Sequence, residues 1–201
     1  MQAGRKTRPL VVVLAGCNGA GKSTAAQTLL AGVLRVPHFL NGDDIARQLK
    51  GGTDETADWR ASRLMLSEIL ALAHQRRSFA FETTLAGRTT HKRLRWLAGQ
   101  GYRSQVIFLW LPEAAMAVER VRSRASLGGH DVPEQTVIRR YHAGWLHFRT
   151  LLLPIADNWR VYDNAGIRPR LIAYGRGRSR ERVKDADAWT QFLDQGNDPT
   201  A

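Results

Sequence analysis

The chain has 201 residues, 43% hydrophobic and 24% charged, with a formal net charge of +12 at pH 7. That length suits one domain with a sizeable core and leaves no room for a separate substrate domain. No apolar run approaches the roughly 20 residues that cross a bilayer, and the basic start runs straight into an apolar strand, so neither membrane insertion nor a signal peptide is expected. A cytoplasmic protein fits this best. The single cysteine, Cys17, excludes an internal disulfide and is given no catalytic role.

In chain order, residues 10–15 read as a buried strand and residues 22–34 as a helix. Between them stands Gly-Cys-Asn-Gly-Ala-Gly-Lys-Ser, residues 16–23. A backbone wrapped around a triphosphate must aim several N–H groups at one anion, so Gly16, Gly19 and Gly21 keep the approach clear, with Asn18, Ala20 and Thr24 completing the cradle. Lys22 reaches the β- and γ-phosphates, Ser23 offers its hydroxyl to Mg²⁺, and the helix N-terminus adds partial positive charge.

A strand at 38–40 leads to Asn41-Gly42-Asp43-Asp44 and a helix at 44–50. A carboxylate there can orient and deprotonate an acceptor hydroxyl; Asp43 is the preferred base, and Asp44 can serve as an N-cap. The helix at 56–76 carries Leu64, Met65, Ile69, Leu72 and Ala73 as its core face. Strand 78–82 ends in Glu82-Thr83-Thr84, with Gly87-Arg88 beyond it. Glu82, Thr83 and Arg88 are the expected acceptor-binding residues, while a loop-starting role also accounts for Thr83 and Thr84.

Helices at 89–100, 112–123 and 133–152 alternate with strands at 104–111 and 159–162, and 170–174 adds a possible strand. The alternation predicts an α/β fold, a five-stranded parallel sheet with helices on both faces. Arg120, Arg122 and Arg124, then Gly128-Gly129, then Arg139-Arg140 predict a helical lid over about 120–141, whose guanidinium groups match phosphoryl oxygens. His130 is read as a loop residue, not a metal ligand. Asp163-Asn164 is expected to border an adenine pocket together with a Gly/Arg-rich loop at 175–178, or else to form an Asx turn. Residues 175–182 are expected as loop, 185–195 as helix, and 1–8 and 196–201 as flexible ends of a single domain. No interleaving of aromatic and basic residues is visible along the sequence, so nucleic acid is not expected as a partner.

Together, the P-loop, Asn41-Gly-Asp-Asp, Phe81-Glu-Thr-Thr-Leu-Ala-Gly, Gly128-Gly-His-Asp-Val-Pro, Arg139-Arg-Tyr and Tyr162-Asp-Asn resemble the zeta-toxin family, in particular its short bacterial members. The resemblance runs from about residue 9 to 164. It implies an adenylate-kinase-like sheet of order 2-3-1-4-5 and an ATP- and Mg²⁺-dependent kinase that phosphorylates the 3′-hydroxyl of the amino sugar in UDP-N-acetylglucosamine. It also implies Asp43 as base, Glu82 and Thr83 on the acceptor, Arg124 with Arg139 or Arg140 on the phosphates, and an antitoxin protein as a possible partner. A small-metabolite or antibiotic kinase is the alternative on the same fold, and a polynucleotide kinase the alternative of another class.

Overall fold

Five consecutive residues, Val11 to Ala15, have no solvent exposure. Only a strand with sheet on both sides and helices on both faces buries every side chain of such a run, so β1 (Leu10–Ala15) is central. In a computed structural model of the protein, residues 8–28, 36–42, 44–45, 55–129 and 131–195 are described. Their strands are β1, β2 (Phe39–Leu40), β3 (Phe79–Thr83), β4 (Arg103–Trp110), β5 (Asn158–Asp163), β6 (Arg170–Arg176) and β7 (Ser179–Val183). The helices are α1 (Lys22–Thr28), α2 (Glu55–His74), α3 (Thr89–Gly99), α4 (Ala114–Ser126), α5 (Glu134–His147) and α6 (Ala186–Asp194). Most of the helix expected at 44–50 lies outside the described residues.

The strands form one sheet of order β2-β3-β1-β4-β5-β6-β7. β2 to β5 run parallel, in the expected order 2-3-1-4-5. β6 and β7 pair antiparallel beyond β5 and enlarge the sheet to seven described strands. The stretch 175–182, expected as loop, is instead the end of β6, a turn and β7. Its polar composition suits an edge strand, which charge protects from further pairing.

Two apolar layers flank the sheet. On one face Val11, Val13, Phe79, Phe81 and Phe108 pack with Ile69 of α2, Leu94 of α3 and Phe192 of α6. On the other, Val12, Leu14, Ile107 and Leu109 pack with Ala25 of α1, Val121 of α4 and Val137 of α5. In α2 the expected face holds at Ile69, Leu72 and Ala73, but Leu64 is 41% exposed. At 100° per residue Leu64 lies about 140° from Ile69, on the solvent side. The helix expected at 133–152 ends at His147 and continues as a π-helical turn, Phe148–Leu152, closed by Leu153 N–H donating to Phe148 O. No described helix is long and apolar enough to cross a membrane.

Candidate functional site

Because β1, β2 and β3 are parallel, the loops at their carboxyl ends converge on one edge of the sheet, where open α/β folds collect ligands. The loop after β1 is residues 16–21, and α1 starts at Lys22. Gly19 and Gly21 have φ of +77° and +76°, which L side chains rarely adopt. Their reasons are partly internal. A Cβ on Gly19 would stand 2.5 Å from Ala117 O, and one on Gly21 would stand 2.6 Å from Asn164 Nδ2. The loop is thus wedged between α4 and the end of β5.

Lys22 is 7% exposed, and its Nζ donates to Cys17 O at 2.8 Å while standing 3.6 Å from Glu82 Oε1. Ser23 Oγ donates to Glu82 Oε2 at 3.1 Å. Asn41, buried at the end of β2, directs Nδ2 to the same Glu82 oxygen at 3.3 Å and to Ser23 Oγ at 3.4 Å. Glu82, read from sequence as an acceptor-binding residue, therefore has its carboxylate among the P-loop side chains. Burial drives the Cys17 thiol up to about 11, outweighing the downward pull of Lys22, so at neutral pH it is a protonated, inert packing group.

These residues line a cavity of about 340 Å³ with Asn18, Gly42, Thr83 and Thr84. Arg120 and Arg124, one turn apart on α4, and Arg140 of α5 complete the wall. Arg140 Nη1 donates to Asn18 Oδ1 at 3.1 Å. Arg139 is exposed and does not line the cavity, nor does exposed Arg88 at the start of α3. Asp43, the expected base, and His130 lie outside the described residues, although Gly42 beside Asp43 is in the cavity wall. Thr83 and Thr84 use their hydroxyls locally, accepting from Leu85 N at 3.0 Å and Ala86 N at 3.5 Å, as the loop-starting reading expects.

Asn164 emerged as a structural part of the site. Its Nδ2 donates to Ala20 O at 2.7 Å, its N–H to Trp110 O at 2.9 Å, and its carbonyl accepts from Arg120 at 2.9 Å. It ties the P-loop to β4 and to the arginine helix. The expected partnership with 175–178 fails: Gly175 pairs with Trp159 near the start of β5, so that turn lies at the opposite edge of the sheet. Asp163 instead makes the Asx turn, accepting from Ala165 N at 2.9 Å, and pairs with Arg170.

The donor set fits Mg²⁺ with a nucleotide. Mg²⁺ keeps most of its waters and takes one or two protein oxygens beside phosphate, and Ser23 Oγ and Glu82 Oε2, 3.1 Å apart, would supply that pair. Among the described residues no group of three or more His, Cys, Asp or Glu could hold a metal alone.

A parallel sheet of this order, a glycine-rich loop opening a helix, and a buried lysine at its start define a P-loop nucleotide-binding domain of the kinase-like type. The chain belongs to the AAA domain family, whose model matches residues 11–143. An uncharacterised protein of Haemophilus influenzae is 27% identical over 126 residues, 63% of this chain and 88% of that protein. A chain of the AvrRxo1-ORF1:AvrRxo1-ORF2 complex solved with sulphate ions superposes with a TM-score of 0.73 at 16% identity over 93% of this chain. The match spans 64% of that longer chain. A chain from the PezAT chromosomal toxin-antitoxin system of Streptococcus pneumoniae superposes with a TM-score of 0.61 at 15% identity, covering 98% of this chain and 88% of that one.

Proposed function

We propose that the protein transfers the γ-phosphoryl group of Mg·ATP to a hydroxyl of a UDP-sugar, the 3′-hydroxyl of the amino sugar in UDP-N-acetylglucosamine or a close relative. The observation that carries the phosphotransferase reading is one cavity lined by Lys22, Ser23 and Glu82 together with Arg120, Arg124 and Arg140. A purely binding P-loop has less need of further guanidinium groups, such as those of Arg124 and Arg140, in the same cavity as the phosphate lysine. Charge that spreads over a transferring phosphoryl group is what such an array stabilises.

In this reading the P-loop amides and Lys22 hold the β- and γ-phosphates, and Ser23 and Glu82 would hold Mg²⁺, whose charge would offset that of the phosphates. Arg124 and Arg140 meet the γ-phosphoryl oxygens. Arg120, whose guanidinium also donates to Ala165 O at 2.7 Å, holds the phosphate loop in place through Asn164. Asp43 accepts the proton of the acceptor hydroxyl and aims its oxygen at phosphorus. Gly42, Thr83 and Thr84 border the acceptor, and Glu82, between the two halves, reaches both. The expected lid of about 120–141 carries Arg124 and Arg140 over the phosphates, while its helices stay packed on the sheet through Val121 and Val137. Arg139 and Arg88 serve the surface.

The donor is supported by a further structure of the AvrRxo1-ORF1:-ORF2 complex, solved with ATP. The acceptor rests on the zeta-toxin resemblance, and the fold likeness to the PezAT toxin-antitoxin chain is consistent with it. The same likeness supports a separate antitoxin protein as partner; in this reading that protein covers the nucleotide site, and the reaction takes place in the cytoplasm, where ATP and UDP-sugars meet. The test is to incubate the protein with Mg·ATP and a panel of UDP-sugars and follow product mass. A UDP-sugar heavier by one phosphoryl group is expected. Transfer confined to a small metabolite would remove the UDP-sugar acceptor and leave the kinase.

A further inference from the structure

On one face of the sheet the helices stop short. The core beneath α1, α4 and α5 takes strand residues from β1, β3 and β4, with Tyr162 of β5 at its margin and none from β6 or β7. The opposite face is covered further out, where Trp159, Ile172 and Ala173 meet Trp189 and Phe192 of α6. The β6–β7 hairpin is therefore roofed on one side and, among the described residues, bare on the other.

Register decides what the bare side carries. Arg160 pairs with Tyr174, and Tyr174 pairs with Arg182, so the three stand in one row across three strands. Directly opposed residues share a face. Their chain neighbours point the other way: a Cβ on Gly175 would meet the Trp159 ring at 2.6 Å, and Glu181 accepts from Trp189 Nε1 at 3.0 Å, both on the α6 side. Alternation sends Arg160, Tyr174 and Arg182 to the bare side. Arg182 is exposed, Arg160 and Tyr174 are half-buried, and exposed Arg176 and Arg178 lie at the turn.

The chemistry of this face is one-signed. Among the described residues none of Arg160, Arg176, Arg178 and Arg182 is in an ion pair; the hairpin arginine that meets carboxylates is Arg170, paired with Asp163 and Asp185. With strands about 4.8 Å apart, the backbones of Arg160 and Arg182 stand about 10 Å apart with a phenol ring between them. A charged strip alone attracts any polyanion. An aromatic ring bracketed by two guanidinium groups adds a stacking platform between two phosphate-binding positions.

We propose that this bare face binds single-stranded nucleic acid, an unstacked base lying on Tyr174 and the flanking phosphates meeting Arg160 and Arg182. The net charge of +12 draws the strand in at long range. None of these residues lines the P-loop cavity, so the surface is separate from the nucleotide site and independent of the proposed acceptor.

The experiment is fluorescence anisotropy of the full chain with labelled single-stranded oligonucleotides of about 12 nucleotides, long enough for one such surface, at several salt concentrations. Binding is expected to weaken with salt, and Arg160→Ala with Arg182→Ala should flatten the log–log slope by about 1.4, because two phosphates of the single strand are then no longer neutralised. Tyr174→Ala should weaken binding about tenfold or more with little change of slope, and Tyr174→Phe should restore it. Saturating Mg·ATP should leave binding intact. The proposal is overturned by unchanged affinity in these variants, by loss of binding on adding ATP, by equal binding of a duplex with no effect of Tyr174→Ala, or by preference for anionic lipid vesicles over the oligonucleotide. Should the combined variant not fold by its melting curve, the exposed Arg182→Glu alone must weaken binding, and failure to do so overturns the proposal equally.

Discussion

From β2 to β5 the strands run parallel and end at one edge; beyond β5 the chain reverses, and β6 and β7 run antiparallel. In the parallel part, helices pack on both faces, and the loops leaving β1, β2 and β3 bring Lys22, Asn41 and Glu82 together though 60 residues separate the first from the last. In the hairpin one face is, among the described residues, uncovered, and the turn points away from the nucleotide edge. Direction of pairing thus decides which loops can build a site. Parallel connections stack their carboxyl ends on one edge, whereas a hairpin returns its tip to the other.

The largest expected effects fall in the parallel part. Lys22→Met should lower kcat for phosphoryl transfer by about 10³-fold or more, because among the described residues no other lysine lines the cavity. Asp43→Ala should cost about 10²- to 10⁴-fold in kcat while leaving the ATP dissociation constant, measured by calorimetry, unchanged. Loss of both together would mean that Asp43 supports the nucleotide site and not the acceptor. Asn164→Ala removes the bond to Ala20 O and should raise KM for ATP about threefold to tenfold, in keeping with one hydrogen bond to the loop.

The hairpin should respond in stability and not in chemistry. Gly175→Ala places a methyl 2.6 Å from the Trp159 ring and should destabilise by about 1–3 kcal/mol in denaturant melts, with kcat per folded molecule unchanged. A fall in kcat there would break the division between the two parts. The smallest effect concerns alkaline pH. Burial pushes Cys17 up to about 11, so the native state keeps a proton that the unfolded thiol releases near pH 9. This thiol's contribution is intact below about pH 9 and is lost as pH rises towards 11, since the unfolded chain then binds fewer protons. Cys17→Ala should remove that loss, and its melting temperature should gain on the wild type between pH 9 and 11.

What the sequence disclosed follows the same division. The P-loop was legible because its glycines, lysine and serine are contiguous and flanked by an apolar strand and a helix. The parallel sheet followed from the alternation of elements, and its strand order from the family resemblance. Residues acting across the chain were not legible: Asn164 meets Ala20 from 144 positions away, and only its place after a strand hinted at the site. The choice between Arg139 and Arg140 was available in helix phase, since Arg139 lies about 160° from Tyr141, which is buried on the core face of α5. β7 was hidden because an edge strand of Ser, Arg and Glu lacks apolar alternation. The Arg160–Tyr174–Arg182 row is invisible along the chain because its members are neighbours only through strand pairing. Glu82 stood out as a candidate because it ends a strand, but its closeness to Lys22 and Ser23 needed the register of β3 on β1.

The central claim is that the P-loop edge transfers phosphoryl groups to an acceptor hydroxyl. Rapid-quench single turnover with labelled Mg·ATP and UDP-N-acetylglucosamine tests it most directly, by comparing ADP formed with phosphorylated sugar formed. Equal amounts of the two are expected, appearing together, and neither from Lys22→Met. ADP formed with free phosphate and no phosphorylated sugar, or ATP bound without turnover on any hydroxyl acceptor, would contradict it.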